Sequence, residues 1–381
     1  MQACRYIESS MEEAPVRSYK EIELLRGFAI LAVMAIHVTG RSMNIRDFSN
    51  PMLTFRTIMA FSEFAVPLFF IISGFTLSMK FHDDHSLSSF YTKRFNNIVP
   101  PYIVFSLLYM MFYVYYFKVS PNQLRLDDML IKLLTARASL HLWYFRIIFQ
   151  FYLFYPLMKN LVHKCKNHLL ALLTASIMIQ IVWICSCGPI EKFLVQCINP
   201  PFLVYLSYHS FLSYVAYFMV GMYAYYNYDK LLSLCSGHKF NYYIIAFIVC
   251  IAATKSYYRI NDLLFEKFPL LSNLTIFYTC AVAMLLLKLS VHLKSINTAW
   301  VRILFRCGQY SFGIYLIHVS IILMTERQLM KYLSVDIYQW YYYPICFFIT
   351  AVLSLPLTYL ISLMPYHAVL IGKVRRWELS D

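Results

Sequence analysis

Apolar residues run in long unbroken blocks along this chain, and polar residues gather in the short stretches between them. Ten blocks can be drawn, at about 22–42, 53–79, 98–117, 142–158, 168–186, 205–226, 242–258, 270–287, 308–325 and 341–364. Most approach the roughly 20 residues that an α-helix needs to cross about 30 Å of hydrocarbon. Transmembrane β-strands would instead alternate apolar and polar positions in short segments, and no such pattern is present. The predicted architecture is all-α: a polytopic integral membrane protein of about ten transmembrane helices. Nothing between the blocks exceeds roughly two dozen residues, which suits connectors rather than domains. The expected division is an N-terminal segment 1–21, a transmembrane domain 22–364 and a tail 365–381.

Composition agrees. The 381 residues are 60% hydrophobic and 14% charged, whereas a soluble domain is about a quarter charged. Of the 33 Lys and Arg residues, 18 fall in segments on the side of the N-terminus and 12 on the other. By the positive-inside rule both termini are expected in the cytoplasm. The formal charge of +14 does not imply nucleic acid, because the basic residues are scattered in short caps; attraction to anionic lipid headgroups accounts for them. Ten cysteines occur without a CxxC pair and mostly inside the apolar blocks, where cysteine acts as a small apolar residue.

Ionisable residues inside the blocks carry the functional signal, since each costs at least a few kcal/mol in a membrane and usually faces the bundle interior. Arg26 and His37 share the first block. Eleven positions at about 100° each bring them within about 20° of one stripe, roughly 16 Å apart along the axis. Glu23, three residues before Arg26, can pair with it on that stripe. An arginine near one membrane face can hold an anionic donor, and a deep histidine can take a proton from a hydroxyl nucleophile or carry an acyl group. Equally, Arg26 could snorkel to headgroups while His37 bonds a neighbouring helix.

The remaining candidates support either structure or a lumen. Arg56 and Glu63 share a face of the second block and could form a structural pair, or pair with Arg146 and tyrosine hydroxyls. His318 lies on the face that carries Ser311 and Tyr315. Lys93 and Arg94 could grip phosphates or simply anchor the chain to headgroups. His82, Asp83, Asp84 and His85 have ligand-like side chains, but a polar loop accounts for them and no metal is expected. Aromatic edges such as HLWYF and QWYYY suit an interfacial belt or stacking on sugar rings.

Five stretches, in order, carry a family resemblance: ELLRGFAILAVMAIHV, FAVPLFFIISGFTLSMKF, YTKRFNNIVPPYIVF, HLWYFRIIFQFYLFYPLM and GQYSFGIYLIHVSII. Together they resemble the membrane-bound acyltransferase 3 family, the O-acyltransferases that decorate surface polysaccharides. A weaker likeness, through GMYAYYNYDKLL, points to the branch that includes the intercellular-adhesion polysaccharide membrane protein. The resemblance implies about ten helices, a cytoplasmic acyl-CoA (usually acetyl-CoA) as co-substrate rather than a bound cofactor, and a sugar hydroxyl as acceptor. It makes His37 the catalytic histidine, Arg26 its partner in the motif, and Lys93 and Arg94 the donor-binding pair. The family loop commonly has a second arginine three positions on, where this chain has Asn97. Glu23 replaces a frequent aspartate, and Arg146 stands where an apolar residue is more usual.

The resulting expectation is an O-acetyltransferase of a bacterial plasma membrane. Its partners would be membrane lipids, a glycan acceptor and a polysaccharide synthesis machinery, in an oligomeric state that the sequence leaves open. The alternative is an exporter of polysaccharide or lipid-linked sugar.

Overall fold

The computed structural model describes residues 19–45, 49–80, 86–117, 125–197, 210–235, 244–254 and 269–374. Among these residues every regular element is helical. In chain order they are α1 (Lys20–Thr39), α2 (Asn50–Ser62), α3 (Ala65–Lys80), α4 (Leu87–Phe117), α5 (Leu126–Thr135), α6 (Trp143–Lys164), α7 (Leu169–Cys197), α8 (Val215–Tyr226), α9 (Tyr228–Cys235), α10 (Ile244–Thr254), α11 (Pro269–Leu293), α12 (Ala299–Gln309), α13 (Ser311–Leu333), α14 (Tyr342–Ser362) and α15 (His367–Ile371).

Among the described residues the ten apolar blocks do not become ten spans. Six helices are long and apolar enough to cross a membrane, or seven if α12 and α13 count as one bent span. The reasons are local. α6 is 22 residues long, but Arg146, Gln150, Lys159, Asn160, His163 and Lys164 make it too polar. α8 has only 12 residues, and α10 is also short. The second block does hold as one candidate span, Asn50–Met79, with a two-residue break at Glu63–Phe64 between α2 and α3. Pro67 explains that break, since in a continuous helix its ring would meet the Glu63 carbonyl four residues back. In the first turn of a new helix its missing N–H costs nothing.

α1 runs through the middle of the bundle and packs against α2, α3 and α11 to α14. Two acidic residues in its first turn, Glu21 and Glu23, suit the positive end of the helix dipole. Glu21 is buried and accepts from the Tyr228 hydroxyl and, at 3.2 Å, from Lys294 Nζ. Close backbone approach fixes two helix crossings. A Cβ on Gly308 of α12 would lie 1.7 Å from the Glu23 carbonyl oxygen, and one on Gly27 would lie 2.3 Å from that of Leu304. Gly74 of α3 and Gly221 of α8 meet each other's helices in the same way, at 2.1 and 1.9 Å. Small residues at such crossings let helices associate where no water drives them together.

The outside of the bundle is apolar. Leu170, Met178, Ile179 and Val182 of α7, and Phe348, Val352 and Leu360 of α14, are exposed. Only 11% of the apolar window of α7 is buried in the protein. Water would not tolerate such a surface, and lipid requires it. This is an integral membrane protein. α14 turns Thr350, Ser354 and Thr358 inward, fully buried, each donating to the carbonyl four residues back, so no polar group is stranded. α12 stands at 91° to α13. It buries Val301, Leu304 and Phe305 while exposing Trp300, Arg302 and Arg306. That is the make-up of a helix lying along a membrane surface.

Candidate active site

Arg26 and His37 both project from α1 into the bundle, Arg26 lining a cavity and His37 facing His141 and His318. Arg26 donates to Glu23 Oε1 at 2.9 Å, and both line a polar cavity of about 220 Å³. Ser73, Thr76, Arg94, Asn97, Tyr144, Tyr152, Gln309, Ser311, Tyr315 and Lys373 line it too. The cavity therefore holds three cations against one carboxylate. Arg94 lies over the rings of Phe90 and Tyr152, at 5.7 and 5.6 Å from their centroids, an arrangement that holds a guanidinium in place.

Tyr144 and Tyr315 bound the cavity where α6 and α13 meet; their ring centroids are 5.5 Å apart. Beyond Tyr315 lie three histidines. His37 and His318 have ring centroids 5.1 Å apart, His141 and His318 5.2 Å, and His37 and His141 6.2 Å. Tyr315 is 5.3 Å from His141 and 5.7 Å from His318, and its hydroxyl donates to the His141 carbonyl.

The surroundings of each ring set its chemistry. His318 is fully buried, and its Nδ1 lies 2.8 Å from the Tyr315 carbonyl and 3.2 Å from that of Ile314. Carbonyls only accept, so Nδ1 carries the hydrogen and Nε2 carries the lone pair. That Nε2 has no hydrogen-bond partner. His141 is also buried; its Nδ1 lies 3.1 Å from Ser139 Oγ and its Nε2 too is unpartnered. His37, by contrast, is only half-buried. It is the least buried of the three rings and faces both of the others.

His141 has a site position that the sequence reading did not assign. It sits on the turn between α5 and α6, which Ala136 opens in the left-handed region at φ 55°. Its signal was the histidine at the head of HLWYF. Tyr109 of α4 adds a second unassigned contact. Its ring is 5.0 Å from His141, and its hydroxyl donates to the Leu316 carbonyl at 2.8 Å while accepting from the Ser320 N–H at 3.1 Å. It thereby enters the hydrogen-bond ladder of α13 around His318.

The other candidates lie as follows. Ser311 and Tyr315 line the cavity with Arg26 and Glu23. Arg94 lines it, whereas its neighbour Lys93 is exposed and does not. Arg56 is buried and donates to the carbonyls of Ser42 and Ile45, pinning the turn after α1. Glu63 caps α2, in electrostatic range of Tyr278. Arg146 reaches the Thr135 carbonyl at 3.4 Å, away from the cavity. His82, Asp83, Asp84 and His85 lie outside the described residues. Among the described residues no group of three or more His, Cys, Asp or Glu side chains is placed to hold a metal ion. One turn past His37, Arg41 bonds Glu326 of α13 at 3.0 Å.

No curated protein and no solved structure matches this chain. A family comparison does: the family described as an acyltransferase domain matches residues 19–362. That match is to the family as a whole. The chain, an all-helical membrane protein with three imidazoles beside a cationic cavity, belongs to the acyltransferase 3 family.

Proposed function

We propose that this acyltransferase moves an acyl group, in the simplest case acetyl, from acyl-CoA to a hydroxyl of a glycan. The donor enters from the cytoplasm at the cavity, and the glycan reaches His37 from the extracytoplasmic side of a bacterial plasma membrane. The observation that carries the reading is the placing of Arg26 and His37 on one helix. Arg26 faces a cavity rich in cations, and His37 faces two more imidazoles. Their separation along α1, roughly 16 Å from the helix rise, suits a donor with a charged head and a long arm ending in a thioester. Arg26 and Arg94 bind the head; the arm passes Tyr144 and Tyr315.

In the transfer step the acceptor hydroxyl gives its proton to His37 as its oxygen attacks the thioester carbonyl. The tetrahedral adduct then collapses, the carbon–sulfur bond breaks, and the departing thiolate takes the proton from the imidazolium. Ester and thiol are the products, and His37 returns to neutral. His318, with Nδ1 tied to two carbonyls, offers Nε2 as an acceptor that can share the proton during the step. Positioned general base catalysis of this kind contributes about 10²–10⁴ in rate.

The reading is tested with a strain carrying His37→Ala, scoring both acylation of the surface glycan and the amount of polymer exported. Loss of acylation with normal export supports it. Loss of export with acylation intact overturns it in favour of a transporter for polysaccharide or lipid-linked sugar.

A further inference from the structure

Arg94 and Asn97 lie three positions apart on α4 and both face the cavity, as residues at that spacing do. A second cation at position 97 would double the charge on that wall. Asn97 instead takes a different partner: its Oδ1 accepts from the backbone N–H of Lys373 at 2.6 Å. Lys373 then lines the same cavity as Arg26 and Arg94.

Three further features hold this strap in register. Ile371 is buried and packs on Gly313 of α13, where a Cβ would come within 3.2 Å of it. Gly372 adopts φ 69°, and a Cβ there would lie 2.9 Å from the Asn97 carbonyl and 3.1 Å from the Phe312 ring. Only glycine combines that backbone conformation with that clearance. Val374 packs against the same apolar core as Phe312. The main chain at Lys373 is thus fixed by its neighbours on both sides, and its side chain is left exposed at the cavity. The strap lies beyond residues 19–362, which carry the family match.

We propose that Lys373, held at the cavity by the Asn97 side chain, binds the phosphates of an anionic nucleotide donor and supplies the charge that position 97 lacks. The cavity's one carboxylate is engaged by Arg26, and Lys373 adds a further cation to the wall that carries Arg94. An ammonium binds phosphate as a compact point charge on a flexible stem, which suits a mouth that must also release product. The inference rests on the acyl-CoA reading for the identity of the donor, though not for the charge that the donor carries.

The test is equilibrium binding to the full-length protein in detergent, with coenzyme A and, separately, inorganic pyrophosphate as probes. Lys373→Ala is expected to weaken both by roughly two- to fivefold, the upper range for an exposed charge contact. Lys373→Arg should retain binding. Asn97→Leu should weaken it to a similar degree although the lysine is still present, because the strap is no longer tied down. Wild-type affinity in both Lys373→Ala and Asn97→Leu overturns the proposal while leaving the donor reading intact. Pyrophosphate binding that falls in Lys373→Ala, with no binding of coenzyme A by the wild type, keeps the role of the lysine and overturns the donor. Binding of neither probe overturns both.

Discussion

His318 holds its imidazole 5.1 Å from that of His37, with Nδ1 committed to the Tyr315 and Ile314 carbonyls. That commitment decides which nitrogen is free, and so which way a proton can travel. His318→Ala and His141→Ala are expected to lower kcat by about 10- to 100-fold, less than His37→Ala. Donor affinity should not change, because neither ring lines the cavity. Steady-state kinetics with the donor varied check this. A rise in KM with kcat intact would place both histidines in binding instead.

Tyr109 makes a structural prediction close to the same ring. Tyr109→Phe removes the hydroxyl that accepts from Ser320 N–H and donates to the Leu316 carbonyl. Losing a hydrogen bond of this kind costs about 0.5–1.5 kcal/mol. The unfolding midpoint in detergent should fall. kcat should fall with it, since the helix that carries His318 loses its brace.

Two arginines inside the bundle should separate cleanly. Arg56 donates to the carbonyls of Ser42 and Ile45, far from the donor cavity. Arg56→Ala is expected to cost about 2–4 kcal/mol through those lost charged hydrogen bonds, with donor affinity unchanged in whatever protein folds. Arg26→Ala should instead weaken donor binding about tenfold or more, with a loss of stability as well, because it strips the buried Glu23 of its partner. Thermal unfolding and donor titration on the same two samples distinguish them.

Gly308→Ala tests the crossing of α12 and α1. The added methyl would lie 1.7 Å from a backbone oxygen, and main chain cannot rotate aside as a side chain can. The helices must part, at about 1–3 kcal/mol or more. Arg26 and Glu23 sit at that crossing, so donor affinity should fall along with stability. Unchanged stability would mean that the crossing is loose.

Much of this was legible before any fold was seen. The stripe of Arg26 and His37 follows from the helix period alone, and the same rule puts Ser311, Tyr315 and His318 on one face. His141 was not legible as part of the site. It is 104 positions from His37 in the sequence and stands on a turn, where no periodicity aims it. Lys373 was hidden for a similar reason: it is brought to the cavity by a glycine turn and one amide, not by an apolar block. The count of ten spans is met only in part among the described residues: the ninth block bends at Tyr310, and α6 carries too many polar residues. Hydropathy measures how apolar a stretch is, whereas breaks are set by single residues within it.

The crossing at Gly308 and Gly27 has one more implication. There main chain rests on main chain, with no room for a side chain between α1 and α12. Side chains of α3, α4, α6 and the strap, among them Ser73, Thr76, Arg94, Asn97, Tyr144 and Lys373, make up much of the cavity wall. A change in the donor accepted can be made at those walls without disturbing the seam that holds α1 in place.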